Sequence, residues 1–189
     1  MSRRTLFQLA AGSLVLFATS GWAIMHFFGP VSLSESIVQG LSLPLQLGIG
    51  AAMGLVLGFM AWGLVGLSFF DQTREFFMNI IGPWQLNWLE IVFVSCCAGI
   101  GEEILFRGAI QPWLGIWWTS LLFVVIHGYI SPFNGPLSVY GFFMVLVIVI
   151  IGWTAVKWGL TVAIAAHTVI DIVLLFKLTV SYSNSEDTS

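Results

Sequence analysis

A chain of 189 residues with 58% apolar residues, only 8% charged ones and a net charge of −3 is far from a soluble domain, in which about a quarter of the residues carry charge. With a mean hydropathy of +0.98 it reads as an integral membrane protein, and its six basic residues leave no surface suited to nucleic acid. The length predicts a single transmembrane domain over residues 1–189, with no room for a separate soluble domain and no tract polar enough to link two.

Windows of about 20 apolar residues predict an all-α bundle of about six spans, near residues 5–28, 43–70, 88–113, 116–131, 137–156 and 159–180. The first window follows the basic opening SRR at 2–4. Its apolar run outlasts the roughly 7–15 residues of a signal-peptide core, so a first span is expected rather than a cleaved or twin-arginine export signal. His26, at the end of that span, is assigned no role beyond the interface. Tryptophans such as Trp88, Trp117, Trp118 and Trp158 fall near proposed helix ends, as interfacial anchors do. Arg3, Arg4, Arg74 and Lys177 lie on one side of the predicted bundle, with Lys157 alone on the other. The positive-inside rule then predicts cytoplasmic N- and C-termini in a multi-pass protein of the cell membrane. Cys96 and Cys97 are adjacent, and a helix turns neighbouring side chains about 100° apart, which disfavours a mutual disulfide.

The third predicted span contains the stretch GEEILFRGAI, which places Glu102, Glu103 and Arg107 inside an apolar helix; the sixth contains Asp171. Insertion scales put a central Asp, Lys or Arg at about 2.5–3.5 kcal/mol, so four such residues left unpaired cost on the order of 10 kcal/mol. Glu103 and Arg107 are four apart with the acid first, the favourable order for an ion pair on one helix face. Glu102 points roughly 100° away and is free to face a cavity. A purely structural alternative joins all three residues into one buried salt bridge that holds helices together.

The histidines bear on that choice. With a turn between the third and fourth spans near Leu114 and Gly115, Glu102 lies 12 residues before Leu114 and His127 lies 13 after it. An antiparallel hairpin rising about 1.5 Å per residue brings both to nearly one depth, roughly 18–20 Å from the turn. His167 and Asp171, four apart, share one face of the sixth span near mid-membrane.

Taken in order, GEEILFRG, FVVIH at 123–127 and HTVID at 167–171 give Glu-Glu-x-x-x-Arg, Phe-x-x-x-His and His-x-x-x-Asp on successive apolar helices. This set resembles the signature of the CPBP family, the CAAX prenyl proteases and bacteriocin-processing enzymes also called Abi, over a core of about residues 88–176. The resemblance implies an intramembrane endopeptidase of glutamic type in which Glu102 and His127 activate water. It further implies that Glu103 and Arg107 order the site, that Phe123 packs it, and that His167 and Asp171 stabilise the tetrahedral oxyanion. No cofactor is expected, and the partners implied are a membrane-associated protein or peptide substrate and the lipid bilayer.

Two departures qualify the likeness. The prenyl proteases carry asparagine at the position of Asp171, and an ionised carboxylate repels an oxyanion where an amide would donate to it. Asp171 is then either a protonated donor or the acid that orients His167, the second being preferred. The prenyl proteases also have eight spans rather than about six. Two histidines with one or two glutamates form a plausible zinc set with an open position for water, but no H-E-x-x-H spacing is present and zinc is not favoured. The non-enzymatic alternatives are an immunity or scaffold protein of the same fold, or a small transporter using the acids as a proton relay.

Overall fold

The computed structural model describes residues 3–186, and every regular element among them is helical. Besides two single 3-10 turns at Ser68–Phe70 and Gly82–Trp84, these are in chain order α1 (Arg3–Phe28), the short α2 (Leu33–Val38), α3 (Leu43–Val65), α4 (Asp71–Ile81), α5 (Trp88–Glu103), a π-helical stretch (Ile104–Ile110), α6 (Gln111–Ile126), α7 (Gly135–Trp158) and α8 (Leu160–Glu186). The expected all-α class is what the chain forms. Four helices, α1, α3, α7 and α8, are each long and apolar enough to cross a membrane.

All six apolar windows are helical over most of their length, but three have different bounds. The window at 43–70 ends early because α3 stops at Val65. The polar run from Asp71 then starts the separate helix α4, whose Arg74 reaches Asp71 at 2.7 Å. The window at 88–113 runs on through the π-helical stretch into α6 and breaks only at Gly115, with φ 74° and ψ 167°. A side chain on Cβ resists that backbone conformation, so the turn falls where glycine permits it. The window at 116–131 ends at Ile126. From Ile116 to Ile126 the helix rises about 16 Å, roughly half the depth of an apolar bilayer core.

Two helix starts have a local chemical cause. Glu35 accepts from the Ser32 backbone N–H at 2.8 Å while its own N–H donates to the Ser32 hydroxyl at 3.3 Å, which begins α2. Asn87 and Glu90 make the same reciprocal pair at the start of α5, at 3.1 and 2.8 Å.

Helix α8 is packed by α3 on one side and by α5 and α7 on others. Its contact with α3 is made through a row of small residues. Gly50, Gly54 and Gly58 lie against Val162, Ala165, Ala166, Ile170 and Val173, close enough that a Cβ on Gly50 or Gly54 would meet an α8 carbonyl oxygen at 2.5 Å. Spacing of four brings the three glycines onto one helix face, and small residues at that spacing let two backbones approach closely inside a bilayer.

Charge is distributed unequally between the two ends of the bundle. Arg3 donates to the Trp84 and Gln85 carbonyls and lies 3.5 Å from Glu90, which joins the start of α1 to the start of α5. Lys177, near the end of α8, sits over the Phe59 ring at 5.7 Å. Lys157 lies at the opposite end, next to Trp158, whose carbonyl accepts from the Leu41 N–H at 3.2 Å. Both cysteines are free thiols.

Candidate active site

The two adjacent glutamates occupy opposite environments. The Glu103 side chain is 0% exposed and lies 3.0 Å from Arg107 Nε, whose side chain is also 0% exposed. This contact is an ion pair rather than an aligned hydrogen bond, because Glu103 Oε2 and all three Arg107 nitrogens fall outside hydrogen-bond geometry among the described residues. The guanidinium sits over the Phe123 ring, 4.8 Å from its centroid, so charge attraction and a cation–π contact hold it. The π-helical stretch begins immediately after Glu103 and contains Arg107. Its wider i→i+5 turn, a device often found at functional sites, accompanies this buried pair.

The second oxygen of Glu103 meets His167 Nδ1 at 2.7 Å. An ionised carboxylate only accepts, so His167 carries a proton on Nδ1 and turns Nε2 toward the cavity. His127 is set the same way: its Nδ1 donates to the Phe123 carbonyl at 2.7 Å. Phe123 therefore acts twice, through its carbonyl on His127 and through its ring, stacked on the His127 imidazole at 4.2 Å and 23°. A T-shaped contact at 5.6 Å joins the same ring to His167.

Glu102, 15% exposed, faces both imidazoles. Its Oε2 lies 3.3 Å from His127 Nε2 and 4.0 Å from His167 Nε2. The hairpin that turns at Gly115 thus brings Glu102 and His127 to one depth, as the spacing predicted. Asp171 Oδ2 lies 3.6 Å from His167 Nε2, and its side chain is 29% exposed. Sequence reasoning preferred Asp171 as the acid that orients His167; in the structure the Nδ1 position is taken by Glu103, and Asp171 lies on the cavity side of the ring. The two-residue reading of Glu103 was too narrow, because its carboxylate joins Arg107 to His167.

A cavity of about 290 Å³ adjoins this cluster. Glu102, His127, His167 and Asp171 supply its polar wall, while Trp62, Val65, Phe77, Ile81, Met144 and Ile148 are among its apolar lining. Its walls reach Val65 at the end of α3, Ile81 at the end of α4 and Leu178 on α8, so it extends toward the end of the bundle that carries Arg3, Arg74 and Lys177. Tyr129 and Tyr140 also line it, and sequence reasoning passed over both. The chain has three tyrosines, and Tyr129 follows the motif histidine by two positions, which was the available signal. His26 is remote from the cluster and stacks on Trp22 at 5.3 Å. Among the described residues, no group of three or more His, Cys, Asp or Glu side chains has the geometry to hold a metal ion.

Chemically, the arrangement supplies an acid and an imidazole within 3.3 Å of each other beside an apolar cavity. A water held between them meets one group able to take its proton and a second able to orient it. Residues 83–173 match the family model of the type II CAAX prenyl endopeptidase Rce1-like proteins, a segment that contains all three motifs. The family resemblance read from the sequence is borne out by that match. Over 86 residues the chain is 34% identical to the uncharacterized protein YpbD of Bacillus subtilis (strain 168), covering 44% of this chain and 42% of that protein. The chain thus spans less than half the length of this curated relative. No solved structure matches it.

Proposed function

We infer, for a chain whose residues 83–173 carry the Rce1-like domain of the type II CAAX prenyl endopeptidases, that it is an intramembrane endopeptidase acting on a membrane-associated protein or peptide. The observation that carries this reading is the 3.3 Å approach of Glu102 to His127 at the wall of an apolar cavity. Glu102 takes a proton from water as its oxygen bonds to the scissile carbonyl carbon, and His127 Nε2 aligns that water. The C–N bond then breaks, and the leaving amine recovers the proton from Glu102. Glu103 and Arg107 hold His167 in one orientation from behind. We place the chain in the cell membrane as a multi-pass bundle with both termini cytoplasmic, a reading supported by its four span-length helices and by the basic residues gathered at one end.

The apolar cavity supports a substrate that presents aliphatic or aromatic groups beside its scissile bond. Purified protein in liposomes, incubated with tagged single-span peptides and analysed by mass spectrometry, is expected to yield one dominant cleavage that Glu102→Gln abolishes. Absence of any Glu102-dependent cleavage across the panel would favour the scaffold reading. Dialysis against a strong chelator is expected to leave turnover unchanged; a loss restored by zinc alone would move the chemistry to a metal-bound water.

A further inference from the structure

The carbonyl oxygen that becomes an oxyanion during such a cleavage needs a hydrogen-bond donor, and the cluster is short of neutral ones. Both imidazoles place their Nδ1 protons on fixed acceptors, the Phe123 carbonyl and the Glu103 carboxylate. In the neutral form their Nε2 atoms then present lone pairs to the cavity, and Glu102 and Asp171 as carboxylates present acceptors only. Apart from the imidazoles and the carboxyl groups themselves, the lining side chains that can donate while neutral are Tyr129, Tyr140 and Trp62.

Of these, Tyr129 stands nearest the chemistry. It follows His127 by two residues, and the two ring centroids are 5.9 Å apart. Phe77 and Tyr140 brace its ring at 5.7 and 5.9 Å. Its backbone is fixed as well: the N–H donates to the Val124 carbonyl at 3.3 Å, and its own carbonyl rests on Gly141, where any Cβ would collide with it. A phenol titrates near pH 10, so it donates across the physiological range.

We propose that Tyr129 is a catalytic residue whose hydroxyl donates to the oxyanion, filling the place that Asp171 cannot fill as a carboxylate. This rests on the endopeptidase reading above. As water adds to the carbonyl carbon, the π pair moves to oxygen and is met by the Tyr129 O–H, which keeps its proton throughout. When the tetrahedral carbon collapses, the pair returns to the C=O bond as the C–N bond breaks.

The test is steady-state turnover of one cleavable peptide by wild type, Tyr129→Phe, Glu102→Gln and the double variant Tyr129→Phe with Asp171→Asn, alongside thermal unfolding of each. Phe keeps the ring contacts and removes only the hydroxyl. The expected result is a kcat about 10²–10³ lower for Tyr129→Phe, the size of one lost oxyanion donor, with KM and melting temperature little changed. The double variant is expected to regain at least about tenfold of that loss, because an amide at 171 donates where the carboxylate did not. A structural role for the hydroxyl predicts no such rescue. Tyr129→Phe turning over at the wild-type rate, or losing only in KM, overturns the proposal while leaving the Glu102 reading intact. Wild-type turnover that Glu102→Gln does not reduce overturns both.

Discussion

Two faces of α8 teach how this bundle divides its work. Where α8 meets α3, the contact is made by Gly50, Gly54 and Gly58 against Ala165, Ala166 and small branched residues, backbone close to backbone. Where α8 meets the cavity, it presents His167 and Asp171 to Glu102 and to open space. The first region has no room for a methyl group, and the second has about 290 Å³ of it. A polar constellation must be held to a fraction of an ångström to be useful, which calls for a rigid supporting element. The glycine seam supplies that rigidity to the helix that carries two of the four cavity-facing groups.

The largest expected effect separates the cavity from everything behind it. Glu102→Gln retains the shape of the side chain and removes the proposed base, so turnover should fall about 10²–10⁴-fold with the melting temperature unmoved. Near wild-type turnover by the purified variant would withdraw Glu102 from the chemistry.

Its neighbour should behave differently. Glu103→Gln leaves Arg107 buried without its counter-charge and His167 with a weaker acceptor, and breaking a buried pair in this way costs about 3–5 kcal/mol. Both stability and activity should drop together in denaturation and turnover measurements. A Glu103→Gln protein as stable as wild type would show that the pair does not hold the site.

The seam can be tested with glycines of one helix. Gly54→Val drives branched carbons into the Ala166 carbonyl and should destabilise by about 1–3 kcal/mol, the range for an overpacked core. Gly63→Ala, on the same helix with nothing within 4 Å of the added carbon, should be neutral or slightly stabilising, since alanine favours a helix by about 1 kcal/mol over glycine. Equal melting temperatures for the two variants would dissolve the contrast between seam and cavity.

What the sequence made legible follows from the range of each cause. The Glu103–Arg107 pair rests on four-residue helical spacing, and the Glu102–His127 approach rests on rise per residue on either side of Gly115; both are local arithmetic. The Glu103–His167 bond is lateral. It depends on how closely α5 and α8 approach, which Gly99 permits by leaving space for Thr168, and no spacing along one helix encodes that. The π-helical stretch left no recognised sign in GEEILFRGAI, so the widened turn at Arg107 was not foreseen. Helices α2 and α4 were missed for another reason. A search for long apolar windows overlooks a six-residue helix and a polar amphipathic one, although Ser32 followed by Glu35 three residues later was a readable start signal.

The smallest effect is expected at Asp171, and the geometry sets its size. Since Glu103 holds His167 Nδ1 at 2.7 Å while Asp171 lies 3.6 Å from Nε2, replacing Asp171 by Asn leaves the imidazole anchored. The substitution removes one negative charge from the cavity wall and adds an amide donor. Turnover by Asp171→Asn in an otherwise wild-type protein should therefore stay within about tenfold of wild type, well short of the 10²–10³ that a lost oxyanion donor costs. On the proposed mechanism Tyr129 remains in place to meet the oxyanion, and the amide can only assist. If Asp171 instead supplied the orientation of His167, Asp171→Asn would reduce turnover as deeply as Glu103→Gln does but without the accompanying loss of stability. Measuring both variants in one liposome assay, with thermal unfolding in parallel, separates an acid that anchors the ring from one that only borders the reaction.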